Sequence, residues 1–179
     1  GGFYGGVNVY VATAMTRYDG NGQLDASFGN SGVAYGLGGT AVNSLAIQGD
    51  GKIVLAANKD NGGTNSAGQY IANPDIAIGR YNSNGSIDGG FGTNGWVYTD
   101  SYDAAIGMNS YETANSVVVL SDGRILVSGT GAKAVYGWET SDYDFVLLRY
   151  SSAGVLDSSF GSGGVVRTHI GGTLDSANR

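Results

Sequence analysis

The sequence predicts an all-β protein made of propeller-type blades, each with four antiparallel strands. Three observations support this. The 179 residues include 33 glycines but one proline and no cysteine, with 13 Asp against two Glu, a composition typical of strands and tight turns. A glycine-rich motif recurs three times along the chain. Around it, four strand-like segments repeat every 60 to 70 residues, which is the period of an enlarged propeller blade.

The recurring motif reads GQLDASFGNSGV, GSIDGGFGTNGW and GVLDSSFGSGGV, starting at Gly22, Gly85 and Gly154. Its Phe-Gly pairs are 63 and 69 residues apart, and an Arg-Tyr pair precedes each copy. We call the segments from this pair to the last glycine of the motif the corners: 17–32, 80–95 and 149–164. We expect the glycines of each corner to permit a bend, and its Leu or Ile and its Phe to anchor the core.

The first two strands of a blade are predicted by a second repeated block. AVNSLAIQGDGKIVLAAN from Ala41 matches TANSVVVLSDGRILVSGT from Thr113. In both copies an Asp-Gly pair, Asp50-Gly51 or Asp122-Gly123, separates two apolar segments. Asp-Gly at this place predicts a hairpin with a tight primed turn, which needs a positive φ.

The third strand, DIAIGRY or DFVLLRY, is nearly continuously apolar, which predicts burial on both of its faces. The corner then leads into GWVYT or GVVRT as the fourth strand. The first repeat has VATAMTRY at the third position, and no Asp there matches Asp75 and Asp144.

These alignments divide the chain into four parts. Residues 1–40 are the C-terminal part of one repeat, and 41–112 are a complete repeat with a connecting insertion. Residues 113–175 form a second complete repeat, and SANR at 176–179 resembles the start of a further one. Two complete blades do not close a ring, so we expect an incomplete propeller, cut from a longer protein or completed by other subunits.

At this point the sequence resembles the bacterial delta-60 repeat. The resemblance rests on Asp-Gly-Lys/Arg, Arg-Tyr, Gly-x-Leu/Ile-Asp and Phe-Gly in that order, and it covers nearly the whole chain. It implies β-propeller blades in a large exported or surface-associated bacterial protein, located at the cell surface, outside the cell or in the periplasm. It implies no activity, because the family has no general catalytic motif.

Three insertions are expected to gather on one face, where repeat proteins tend to bind partners. They are KDNGGTNSAGQYIANP, GAKAVYGWETS and DSYDAAIGMNSYE, which places Glu112 and Glu139 in insertions. Aromatic residues lie in or beside them: Tyr70, Tyr102, Tyr111, Tyr136, Trp138 and Tyr143. Such residues contact proteins and sugars efficiently, or fold back as lids over the blade edges, and both readings stay open.

An Arg and an Asp stand eight residues apart in every corner: Arg17/Asp25, Arg80/Asp88 and Arg149/Asp157. We interpret them as structural ion pairs, because a corner must be built in every blade; the alternative is ligand binding. Trp96, which begins a fourth strand, is expected in the core.

Other polar groups are interpreted as ordinary structure. Asp19 to Asp25 alternates oxygen side chains as calcium loops do, but an Asn-Gly turn accounts for it better. Asp100 and Asp103 are a similar calcium candidate, better read as a solvated loop. His169, the one histidine, is expected at a strand end. We therefore predict no catalytic, cofactor-binding or metal-binding residues and no cofactor.

Charge and composition limit the function classes. A net charge of −6 without a basic cluster argues against a nucleic-acid partner, and no stretch predicts a transmembrane segment. One histidine and no cysteine disfavour nucleophilic triads. We expect a non-catalytic structural or protein-interaction module whose partners are protein subunits or further repeats. The alternatives are a carbohydrate- or calcium-dependent adhesive module, and then a propeller glycosidase or lyase.

Overall fold

The computed structural model describes residues 12–38, 40–64, 68, 70–101, 110–133 and 143–169. In these ranges the secondary structure is entirely β, in twelve strands. No helix in the described ranges is long and apolar enough to cross a membrane. The fold class predicted from the sequence is confirmed.

Blade 1 consists of β1 (Ala12–Thr16) and β2 (Val33–Gly38), which pair antiparallel around the first corner. Blade 2 contains β3 (Thr40–Ile47) and β4 (Ile53–Asp60), then a small hairpin of β5 (Gly63–Thr64) and β6 (Tyr70–Ile71), and finally β7 (Pro74–Tyr81) and β8 (Trp96–Thr99). Its sheet has the antiparallel order β3-β4-β7-β8. The hairpin lies within the predicted insertion.

Blade 3 repeats this arrangement with β9 (Ser110–Val119), β10 (Ile125–Lys133), β11 (Tyr143–Tyr150) and β12 (Val165–Thr168), in the order β9-β10-β11-β12. One boundary differs from expectation. Because β9 begins at Ser110, Glu112 belongs to a strand and not to the insertion before it.

The Asp-Gly hairpins form, but with a different turn from the one predicted. Gly51 donates its N–H to the Gln48 carbonyl at 2.9 Å and has φ +82°, whereas Asp50 is not in the positive-φ region. A primed type I turn needs positive φ at both central residues. The loop is instead one residue longer, a type I turn followed by a left-handed glycine, and the Asp50 carboxylate accepts the Lys52 N–H at 3.1 Å.

Two apolar clusters hold the blades together. Between blades 2 and 3 the cluster includes Val54, Ile78, Val127 and Leu148. Between blades 1 and 2 a smaller one is formed by residues shared with Met15 of β1: Leu55, Ala57, Ala77, Tyr81 and Trp96. Since β7 lies between both clusters, it is buried on both faces as predicted, and Trp96 is in the core as predicted.

The third strand of blade 3 differs from that prediction. In β11 the buried residues are Val146, Leu148 and Tyr150, while the residues between them are only partly buried. The reason is packing: within the described residues, blade 2 covers one face of β11.

The blades have two distinct ends. Register pairs Asp60 with Pro74, Ile76 with Thr99 and Lys133 with Ser110, so these strand termini lie together. We call this the loop end, because the chain leaves it into 61–73, 100–109 and 134–142. The corners lie at the opposite end, the corner end. The three insertions therefore leave from one end of the blades, as predicted.

Candidate functional site

Each corner contains the predicted ion pair. The Arg Nε lies 2.8 Å from an Asp Oδ2 in all three corners: Arg17 with Asp25, Arg80 with Asp88 and Arg149 with Asp157. Each guanidinium also lies over the Phe of its own corner, with the Arg Cζ 4.4 to 4.8 Å from the ring centroid. At this distance the cation is attracted by the aromatic face.

A second cation explains the Asp-Gly-Lys/Arg signature. Lys52 places its Nζ 3.0 Å from Asp88, and Arg124 places Nη1 3.4 Å from Asp157. The first hairpin of each complete blade is thereby tied to its own corner. The hydrogen bond from Ser159, assisted by the charge of Arg149, lowers the pKa of Asp157 to about 2.

The corners also join successive blades. Arg17 Nη1 donates to the Ser83 carbonyl, and Arg80 Nη1 donates to the Ser152 carbonyl, each 2.5 Å away in the next blade. The backbone N–H of Gly29 donates to the Asn84 carbonyl at 2.7 Å. The polar groups of the corners are thus used in joining blades, which is an architectural role.

Only part of the apolar prediction for the corner is confirmed. Phe28 and Phe91 are fully buried, but Leu24 and Ile87 remain 49% and 42% exposed. They do not reach the core because they pack on the last glycine of their own corner; a Cβ on Gly95 would lie 2.3 Å from Ile87 Cγ1.

The loop end presents exposed tyrosines. Tyr70 lies on the small hairpin and donates its hydroxyl to Asp60 at 2.7 Å. Tyr111 at the start of β9 is exposed, and its ring meets Tyr143 edge to face with centroids 6.4 Å apart. Neither ring lies in an apolar cluster of the core. The other predicted contact aromatics, Tyr102, Tyr136 and Trp138, lie outside the described residues, as does Glu139.

Glu112 is a buried acid that the sequence analysis misplaced. Its carboxylate accepts the Ser101 N–H at 2.7 Å and the Ser101 hydroxyl, and Arg167 Nη2 lies 3.7 Å away. Burial raises the pKa of Glu112 to about 7, and its Oε2 has no hydrogen-bond partner among the described residues. Register could have located it, because Glu112 shares the inward face of β9 with Ala114.

An open groove of about 500 Å³ lies beside this cluster. Ser101, Val165 and Arg167 contribute to its wall, together with the end of the third corner at Gly161 and Ser162. The Arg167 guanidinium donates to the Ser101 hydroxyl at 2.7 Å, which links blade 3 to the chain following β8.

The calcium candidates and the histidine have local roles. Asp19 Oδ1 accepts the N–H groups of Asn21 and Gln23, both at 2.9 Å, as expected for a turn. Asp103 is outside the described residues, and in the part of the chain that is described no three His, Cys, Asp or Glu side chains could hold a metal ion together. His169 directly follows β12, as predicted, with Nδ1 3.1 Å from Asp144.

Comparison with known proteins agrees with this architecture. The family model described as "Domain of unknown function (DUF5122) beta-propeller" matches residues 120–160, from the first hairpin turn of blade 3 into its corner. Neither the curated proteins nor the solved structures contained a match. The four-stranded antiparallel sheets and this match together make the chain a set of blades of a β-propeller-type repeat.

Proposed function

We propose that this chain is a non-catalytic structural and protein-interaction segment of an exported or surface-associated bacterial protein of the delta-60 repeat class. It binds partners through the variable loops of the loop end and through blade edges. One observation carries the proposal: the two ends of the blades are used differently. The corner end repeats the same ion pairs and joins blades, whereas the loop end carries every segment that differs between the repeats and displays Tyr70 and Tyr111.

The placement of the acids supports a non-catalytic role. General acid catalysis needs a carboxyl with a raised pKa in reach of a substrate. Glu112 has the raised pKa but no exposed surface, and its contacts are structural. The Asp residues of the corners have lowered pKa values and are engaged by Arg and Lys.

Other protein subunits or further repeats are the partners that fit this role, and a glycan is the alternative. Exposed tyrosine rings stack on sugars as readily as they pack against proteins. A carbohydrate- or calcium-dependent adhesive module is therefore the second candidate. A propeller glycosidase or lyase is the third, and it needs a pair of accessible carboxylates.

The test compares matched tyrosine variants of the full chain. Binding to immobilised bacterial surface proteins and to a glycan array is measured with and without Ca²⁺ for the wild type and for Tyr70→Ser/Tyr111→Ser. Tyr35→Ser is the control, because Tyr35 is equally exposed on β2, away from the variable segments. We expect calcium-independent protein binding that falls at least about tenfold in the double variant alone. Glycan binding that requires Ca²⁺ would favour the adhesive module, and equal losses in the control would refute the loop end as the binding surface.

A further inference from the structure

The two outward-facing sides of the described fold are complementary halves of one repeated interface. We call the face of a blade toward the next blade in the chain its forward face, and the opposite one its rear face. On blade 2, Val54 and Ile78 lie on the forward face and pack against blade 3, whereas Leu55 and Tyr81 lie on the rear face with Met15 of blade 1. The same two faces meet at both junctions.

Two aromatic residues of the corner report whether a junction is formed. The corner Tyr belongs to the rear face: Tyr81 and Tyr150 are buried at the junctions, but Tyr18 of blade 1 is 59% exposed. The corner Phe belongs to the forward face: Phe28 and Phe91 are buried, but Phe160 of blade 3 is only partly buried. Blade 1 therefore presents an open rear face, and blade 3 presents an open forward face.

The open forward face of blade 3 has the composition of a blade junction. Six of its residues stand at the repeat positions that blade 2 buries against blade 3, and each is partly exposed: Leu126, Ser128, Phe145, Leu147, Phe160 and Val166. Five of the six are apolar. A partly exposed apolar sheet face of this kind is a docking surface and not an ordinary solvated one.

The open rear face of blade 1 has the matching vacancy. At the formed junctions the corner Phe fills the space over the turn glycine of the next blade: a Cβ on Gly85 would lie 3.0 Å from Phe28, and one on Gly154 would lie 2.8 Å from Phe91. At the equivalent Gly22 no described atom lies within 4 Å of that position.

The backbone carbonyls repeat the same relation. Ser83 and Ser152 accept the Arg Nη1 of the preceding blade, and Gly20 holds their position in the first corner. Arg149, in the third corner, has the side chain that would complete such a bond, since it already adopts the ion pair and ring contact of the other two.

We propose that the forward face of blade 3 binds the rear face of blade 1 in a second copy of this chain. Phe160 would cover Gly22, and Arg149 would donate to the Gly20 carbonyl. This deepens the proposed function, on which it rests, by naming a partner and a surface. Such head-to-tail contact is heterologous, so copies join into a closed ring or an open series. The occupant follows from continuity, because the new junction repeats the contacts that already join blades 1, 2 and 3.

The test uses two full-length variants, one on each face. Leu147→Glu places a charge at the centre of the forward face of blade 3, and Tyr18→Glu does so on the rear face of blade 1. Leu45→Glu is the control, since Leu45 is equally exposed on β3 but lies on neither open face. Mass is followed by analytical ultracentrifugation over a concentration series, and thermal unfolding checks that each variant is folded.

We expect the wild type and Leu45→Glu to associate, and each face variant to raise the apparent Kd by roughly 100-fold. An equimolar mixture of Leu147→Glu and Tyr18→Glu should form a heterodimer and nothing larger, because only one intact face of each kind remains. A folded wild type that stays monomeric, or association that survives both substitutions, would overturn the proposal. Loop-end binding measured on Leu147→Glu separates this failure from a failure of the proposed function.

Discussion

At the scale of single residues, the chain uses its acids in two opposite environments. Asp157 is held as a carboxylate by hydrogen bonds and cations, and its pKa is lowered to about 2. Glu112 is buried with fewer compensating contacts, so its pKa rises from 4.5 to about 7. A buried acid of this kind costs stability when it is charged, and the fold tolerates it because Ser101 and Arg167 stabilise one of its oxygens.

The raised pKa of Glu112 predicts a pH-dependent stability. The folded state binds the Glu112 proton more tightly than the unfolded state, so this residue makes stability fall as pH rises from about 4.5 to about 7. Glu112→Gln removes this contribution. The variant should match the wild type near the lower value and be more stable by up to about 3 kcal/mol above the upper one. Urea unfolding of both proteins across this range measures the difference, and a difference that does not change with pH would contradict the assignment.

At the scale of the structural element, the corner serves as a joint between blades. Its glycines differ in what surrounds them, which separates backbone strain from packing. Gly154 has φ +84° and lies under the Phe91 ring, whereas Gly22 has φ +76° and open space. Both positions disfavour any residue with a Cβ, but only Gly154 has a neighbour that a Cβ would strike.

Alanine at these two positions should therefore have different effects. Gly22→Ala should lower the free energy of unfolding by about 1 kcal/mol, the cost of a positive φ. Gly154→Ala should lower it by about 3 kcal/mol, because its Cβ would also displace the Phe91 ring. Urea denaturation of both variants measures this, with Gly22→Ala as the internal control. Equal losses would show that Phe91 moves aside without cost.

At the scale of the whole molecule, blades 2 and 3 share one apolar cluster and so should behave as one cooperative unit. Residues from β4, β7, β9, β10 and β11 contribute to it. Ile78 lies at zero exposure in this cluster, between the two sheets. Neither sheet can lose its neighbour without exposing half of a core.

Ile78→Ala should consequently destabilise both blades. We expect a loss of about 2 to 5 kcal/mol and faster amide exchange in β10 and β11 as well as in β7. Hydrogen exchange followed by mass spectrometry measures each strand separately. Ile47→Ala is the matched control, because Ile47 is 67% exposed, and it should change exchange little. Faster exchange restricted to blade 2 would show that the blades unfold independently.

Much of the architecture follows from local pattern. The strands, their order and the ion pairs of the corners were predictable because each depends on residues close in sequence: alternating apolar residues, Asp-Gly turns, and an Arg and an Asp across one turn. The hairpin turn type was missed because one Asp-Gly pair is compatible with two loop lengths. Glu112 was placed in an insertion because the composition before β9 is polar up to the first apolar residue.

The sequence by itself determined that this protein is all-β, that its blades recur every 60 to 70 residues and that its variable segments leave from one end. Only the tertiary structure decided which groups are exposed. Tyr18 and Tyr150 occupy the same position in the repeat, yet one is exposed and the other fully buried. The burial of Glu112 was decided in the same way. The physical reason is that burial depends on which neighbouring blade covers a face, and identical repeats carry no information about their neighbours.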